Sequence, residues 1–133
     1  MATTLLALWL AVAAALALAV RWGRRDADER HAVTTADGWT LTLFRHRAQG
    51  AQRFPVPVVF GHGFMMNRHC WALTDEGSLP RALAARGHDV FVAEYRGSGL
   101  SLGPPSAKPR DAAGRLGWTF DDHARQDLPA IID

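Results

Sequence analysis

Two short glycine-rich turns hold the residues of this chain that could do chemistry. Gly61-His62-Gly63-Phe64-Met65 follows the apolar run Val58-Val59-Phe60, and Arg96-Gly97-Ser98-Gly99 follows Val90-Phe91-Val92-Ala93-Glu94. Glycine directly after a strand lets the backbone turn sharply. The N–H groups of Phe64 and Met65 can then aim at an outside oxygen rather than into a sheet. Such a turn suits an oxyanion hole, where one donor is worth about 2.7–4 kcal/mol of transition-state stabilisation. The competing reading is an ordinary tight turn. His62 has the chemistry of a general base, but a histidine on this turn is better suited to structural hydrogen bonds.

Other chemistries fit less well. Gly97-x-Gly99 lacks the third glycine of a dinucleotide fingerprint, since Leu102 occupies its place, and Pro104-Pro105 prevents the helix that should follow. Gly99-Leu100-Ser101-Leu102-Gly103 matches G-x-S-x-G letter for letter. A nucleophilic serine, however, needs a sharp strand-to-helix turn, and here the strand has ended near Glu94. Ser101 is therefore set aside as nucleophile. His62, His69, His88 and Cys70 have no metal-ligand spacing, so neither a metal nor a cofactor is expected. Cys70, the single cysteine, excludes an internal disulfide and reads as a small buried apolar residue.

The elements that must hold these turns are legible in outline. His31–Thr35 and Trp39–Arg45 are β-rich runs flanking Ala36-Asp37-Gly38, a hairpin signal. Trp39, Leu41 and Leu43 alternate with Thr40 and Thr42, which marks one better-buried face. Val58-Val59-Phe60 reads as a short strand covered on both faces. A helix opens at Ser78 or Leu79, with Pro80 in its first turn and Gly87 as its stop. Another strand follows at Val90–Ala93. Thr119 to Asp133 reads as a final helix capped by Thr119 or Asp121. This order predicts an α/β fold: an antiparallel hairpin at the edge of a mostly parallel sheet, with both glycine-rich turns at the carboxyl ends of strands, where such sheets bind ligands.

The chain has 133 residues, 48% of them hydrophobic, with a net charge of +2. That allows one modest domain and an extension, whereas a full α/β enzyme takes about 200 residues or more. No basic stripe is present, which argues against nucleic acid as a partner. Residues 3–20 contain no charge, and at about 1.5 Å per residue they would span roughly 27 Å as a helix. Residues 1–22 are accordingly expected to be a single-pass transmembrane anchor, followed by a charged linker over 23–30. Arg21, Arg24 and Arg25 lie after the apolar run, which would put the remainder in the cytoplasm. A cleaved signal peptide and an exported protein form the alternative.

Residues 31–133 resemble the N-terminal half of the α/β-hydrolase fold, carried by Val58–Phe64, Asp89–Ser101 and Trp118–Asp133. More narrowly, His31–Leu43 looks like the opening hairpin of acid-lipase-type serine esterases, and Trp118–Asp122 with Asp127–Asp133 is similar to the helix before their nucleophile strand. The resemblance implies hydrolysis of carboxylic esters or lipid-like substrates through a serine acyl-enzyme, without a cofactor. It also implies that the N–H of Phe64, aided by that of Met65, is the first oxyanion donor on the turn Gly61, His62, Gly63. Glu94 stands where the family more often has Asp. Arg96, Gly97, Gly99 and Ser101 match a structural turn after the fourth strand. The triad's nucleophile, acid and histidine would lie beyond Asp133. This portion is therefore expected to be a partial domain, truncated before the nucleophile and inactive alone. Members with an Asp nucleophile stay open, as does an inactive membrane-anchored interaction module. Without the family's fifth strand, Val58–Phe60 would be an open, self-associating edge.

Overall fold

The computed structural model describes residues 9–16, 27–71, 77–107 and 116–133. Strand β1 (Glu29–Thr34) and strand β2 (Thr40–His46) form the expected hairpin, in register from Glu29 opposite Arg45 to Thr34 opposite Thr40. In the connecting turn the Gly38 N–H donates to the Thr35 carbonyl at 2.9 Å, and Gly38 takes a φ of +88° that a side chain would resist. β1 starts two residues inside the segment expected to be linker. The reason is local: the Glu29 carboxylate engages both Arg45 and Arg47, which extends the ladder.

β3 (Val58–Phe60) and β4 (Val90–Glu94) complete a four-stranded sheet in the order β1-β2-β4-β3. β3 runs parallel to β4, whereas β4 runs antiparallel to β2. Among the described residues only one of the three pairings is parallel, so the expectation of a mostly parallel sheet does not hold here. Two burial expectations change with this order. β2 is internal and buried on both faces, not one, with Thr42 and Phe44 as enclosed as Leu41 and Leu43. Among the described residues β3 lies at the sheet's end, paired with β4 alone, and Val59 stays 41% exposed rather than covered.

Helix α1 (Leu79–Ala84) lies against β4 and β2. Ser78 caps it by accepting the Arg81 N–H, and Pro80 occupies its first turn, where a missing N–H costs nothing. Gly87 ends it with a φ of +88°, its N–H reaching the Ala84 carbonyl.

The closing helical segment forms, but not as one regular helix. α2 (Phe120–Asp122) passes into a π-turn at His123–Asp127 and then α3 (Leu128–Ile132), with helical backbone angles at the junctions. Thr119 caps it, and Asp122 reaches back to both the Thr119 N–H (2.7 Å) and its hydroxyl. That contact with the Thr119 backbone holds the Asp122 carboxyl below its ordinary range. The π-turn has a visible cause in Pro129. Proline cannot donate to the carbonyl four residues back and its ring crowds that group, and the Leu128 N–H bonds instead to His123, five residues back. Ile131 then packs with Trp39, Leu41, Leu43 and Ala93 in the core.

Of the apolar segment 3–20, residues 9–16 are described; they are helical and exposed. The rest of the expected anchor, and linker residues 23–26, lie outside the described residues. Among the described residues no helix is long and apolar enough to cross a membrane.

Candidate active site

Because β3 and β4 are parallel, their carboxyl ends open at the same end of the sheet. The two glycine-rich turns meet there and, with Trp118 and the closing helical segment, enclose a cavity of about 560 Å³. Phe64, Met65, Met66, Leu116 and Phe120 give it a largely apolar wall.

The first turn is tied down at its start and open at its tip. Gly61 admits no side chain, since a Cβ would come 2.1 Å from the Tyr95 hydroxyl oxygen. The Trp71 indole N–H donates to the Gly61 carbonyl at 3.1 Å. His62 spends both ring nitrogens on the backbone: Nε2 accepts the Tyr95 N–H at 3.3 Å, which assigns the proton to Nδ1, facing the Gly63 carbonyl at 2.9 Å. The histidine thus clamps the two turns together and has no nitrogen left to serve as a base. Beyond it, Met65 adopts a φ of +58°, uncommon outside glycine, and the Met66 N–H closes back on Gly63 at 3.1 Å. No hydrogen bond among the described residues uses the N–H of Phe64 or Met65. Their side chains are 62% and 87% exposed.

The second turn is a scaffold. Glu94 is fully buried: its carboxylate accepts from Arg68 at 2.9 Å and from the Leu100 N–H at 2.8 Å. A Cβ on Gly99 would lie 2.0 Å from that carboxylate, and one on Gly97 would lie 2.1 Å from the Trp118 ring. Ser101 is buried, donating to the Glu94 carbonyl at 2.6 Å and accepting the Thr42 N–H at 3.1 Å. Its hydroxyl stitches β2 to the end of β4, and Ser101 is not among the residues lining the cavity. Ser98, which does line the cavity, donates to the Met66 carbonyl and so binds the second turn to the first.

A larger network underlies both turns. Arg96, 3% exposed, donates through its main chain and Nε to Asp127 and through Nη1 and Nη2 to Asp37. Burial alone would depress the Arg96 pKa, but these two carboxylates outweigh it and hold it above its ordinary value. In return the Arg96 hydrogen bond holds the Asp37 carboxyl below the usual carboxylate range. His123 Nδ1 lies 2.8 Å from Asp127, and its ring tilts against Tyr95 at 5.4 Å. Desolvation, then the Asp127 charge, pushes the Tyr95 hydroxyl pKa up.

Sequence reasoning placed the two turns correctly but missed Asp37, Asp127 and His123 as partners. One signal was available: Asp127 stands four residues before the core residue Ile131, on the same helical face. The remaining candidates lie apart. His88 stacks on Phe54 at 4.0 Å, His69 is exposed on a short 3₁₀ turn (Arg68–Trp71), and Cys70 is half-buried with its thiol pKa raised by desolvation. Among the described residues no group of three or more His, Cys, Asp or Glu is arranged to hold a metal.

Comparison with known proteins adds a family context. Residues 27–75 match a model described as a partial α/β-hydrolase lipase region. The chain is 37% identical to lipase member N of Mus musculus over 113 residues, covering 80% of this chain and 28% of that protein. It is 33% identical to triacylglycerol lipase 2 of Arabidopsis thaliana over 114 residues, 79% of this chain and 27% of the relative. Gastric triacylglycerol lipase of Bos taurus is 33% identical over 117 residues, 84% and 29% respectively. The chain thus spans little more than a quarter of the length of these relatives.

Proposed function

Because this chain belongs to the α/β-hydrolase lipase family, of which it carries the N-terminal region, we propose that it supplies the oxyanion side of an ester-hydrolysing site. The substrates are carboxylic esters with apolar, lipid-like acyl groups. One observation carries the reading: among the described residues the N–H groups of Phe64 and Met65 have no hydrogen-bond partner, and both residues line an apolar cavity at the carboxyl ends of β3 and β4. An ester carbonyl seated there would gain two donors as its oxygen becomes negative. The exposed Phe64, Met65 and Phe120 side chains suit an alkyl chain. The nucleophile, a serine acylated during turnover or an aspartate, its histidine and its acid are supplied in addition to the residues present here. Residues 3–20 provide a membrane anchor with the sheet on the cytoplasmic side.

The burial of Ser101 favours a second reading, that the 133-residue chain by itself is an interaction module without serine chemistry. Treating the chain with a fluorophosphonate probe separates the possibilities within it. No serine should be labelled, whereas labelling at Ser101 would overturn the structural role assigned to that residue. For the ester reading the test is binding: a medium-chain alkyl phosphonate, whose anionic oxygens need no protein nucleophile, should shift the backbone amide resonances of Phe64 and Met65. Unchanged resonances at saturating ligand would reject the oxyanion assignment.

A further inference from the structure

Of the chain's three methionines, one is Met1 and the other two stand side by side at the tip of the first glycine-rich turn. Met65 is 87% exposed and Met66 50%, and both line the cavity. Their thioethers are flexible and polarisable, which suits an apolar wall that adapts to an alkyl chain. Met66 has a second part. Its N–H donates to the Gly63 carbonyl at 3.1 Å and its carbonyl accepts the Ser98 hydroxyl at 3.1 Å, so this residue joins the two turns. Its sulfur packs over Gly63, where a Cβ would come within 3.2 Å of it. An oxygen added to that sulfur therefore enters the cavity wall and the turn together. Exposed thioethers meet an oxidant without any unfolding. Cys70, four positions after Met66, is half-buried, and desolvation raises its thiol pKa, which keeps it out of the reactive thiolate form.

We propose that Met65 and Met66 form a reversible oxidation site that closes the cavity to apolar ligands when their thioethers become sulfoxides. The reactant is a hydroperoxide. A sulfur lone pair forms a bond to the terminal peroxide oxygen, the O–O bond breaks, and that oxygen stays on sulfur. Its proton passes to the departing oxygen, which leaves as an alcohol, or as water where the oxidant is hydrogen peroxide. Sulfur is oxidised and the peroxide reduced by the same electron pair. The product replaces a flexible apolar side chain with a polar, chiral one. At Met65 this sets a strong acceptor in the apolar wall, and at Met66 it does so beside the Gly63 backbone. Methionine sulfoxide reductases restore the thioether. The proposal rests on the ester reading above only for the nature of the ligand, an ester with an alkyl chain.

The test uses the full 133-residue chain, hydrogen peroxide and two probes. Octanol needs only the apolar wall, whereas octyl phosphonate also needs the Phe64 and Met65 N–H groups. Peptide mass spectrometry should find an added oxygen on both Met65 and Met66 at peroxide doses that leave Cys70 a thiol. Octanol binding, followed through the ring resonances of Phe64 and Phe120, should then weaken about tenfold or more, the effect of about 1.4 kcal/mol of lost apolar contact. Reductases for both sulfoxide epimers should restore it. Cys70→Ser should respond to peroxide as the wild type does. The double variant Met65→Leu, Met66→Leu, compared with its own untreated sample, should not respond. Sulfoxides at both positions with octanol binding unchanged would overturn the proposal. So would a loss that the reductases do not reverse, or one that the double variant shares. Octyl phosphonate and octanol bound equally before and after oxidation would reject the proposal and leave the ester reading intact. Octanol binding lost on oxidation, with phosphonate leaving the Phe64 and Met65 amides unmoved, would uphold the oxidation site and reject the ester reading. Absence of binding by either probe to the reduced chain would reject the two together.

Discussion

The two walls of the cavity are built on opposite principles. On the scaffold side, Glu94, Arg96, Ser101 and Asp127 are buried and saturated with partners, so each strand end and turn is fixed by several bonds at once. On the other side, the turn from Gly61 to Met66 is fastened at its two ends, by His62 and Trp71 at its start and by Ser98 at Met66, while its tip carries N–H groups unused among the described residues, exposed apolar side chains and a left-handed methionine. The difference shows how a small fold divides labour. Saturated polar groups give a rigid floor but have nothing to offer a ligand, and unsaturated ones can bind only because the floor keeps them in place.

The comparison can be broken hardest from the scaffold side. Replacing Asp127 with Ala would remove the buried partner of Arg96 and leave the more exposed Asp37 to balance that charge, and we expect a loss of about 3 kcal/mol in urea denaturation, enough to weaken or abolish a cooperative transition. Retention of that transition would mean that the floor is not held by this network. Ser101→Ala probes the same side more gently. It leaves the Thr42 N–H unpaired in the interior, and a loss of about 1–3 kcal/mol in urea denaturation is expected. A stability within error of wild type would show that the hydroxyl is not a tie between strands. The smallest effect should come from the open side. Met65→Gly removes a strained φ at an exposed position, and it should leave stability unchanged or raise it by up to about 1 kcal/mol. A clear destabilisation would show that the tip is packed as tightly as the floor.

What could be read from the sequence follows the same division. Elements set by local chemistry were legible: the Asp37-Gly38 hairpin, the Ser78 and Thr119 caps, the Gly87 stop, and the two strands leading into glycine turns. Features set by distant residues were not. Nothing near β2 in sequence announces that it will lie between β1 and β4 and be buried on both faces. Asp37 reads as a turn residue because its role with Arg96 spans 59 positions. The Ser101 pattern was set aside on local grounds, whereas the hydrogen bond of its hydroxyl with the Thr42 N–H spans 59 positions and emerges only in three dimensions. The family resemblance was legible because its motifs sit in the turns.

The π-turn ahead of Pro129 has a consequence for how the closing segment can be read and altered. One extra residue in a helical turn advances everything after it by about 100° relative to an unbroken α-helix. Residues before and after the turn therefore belong to two different rotational phases of one rod. Asp127 and Ile131 reach the sheet in the second phase, while His123 meets the cavity at the end of the first. A single proline thus acts as a phase shifter, setting which side chains of the segment face the interior.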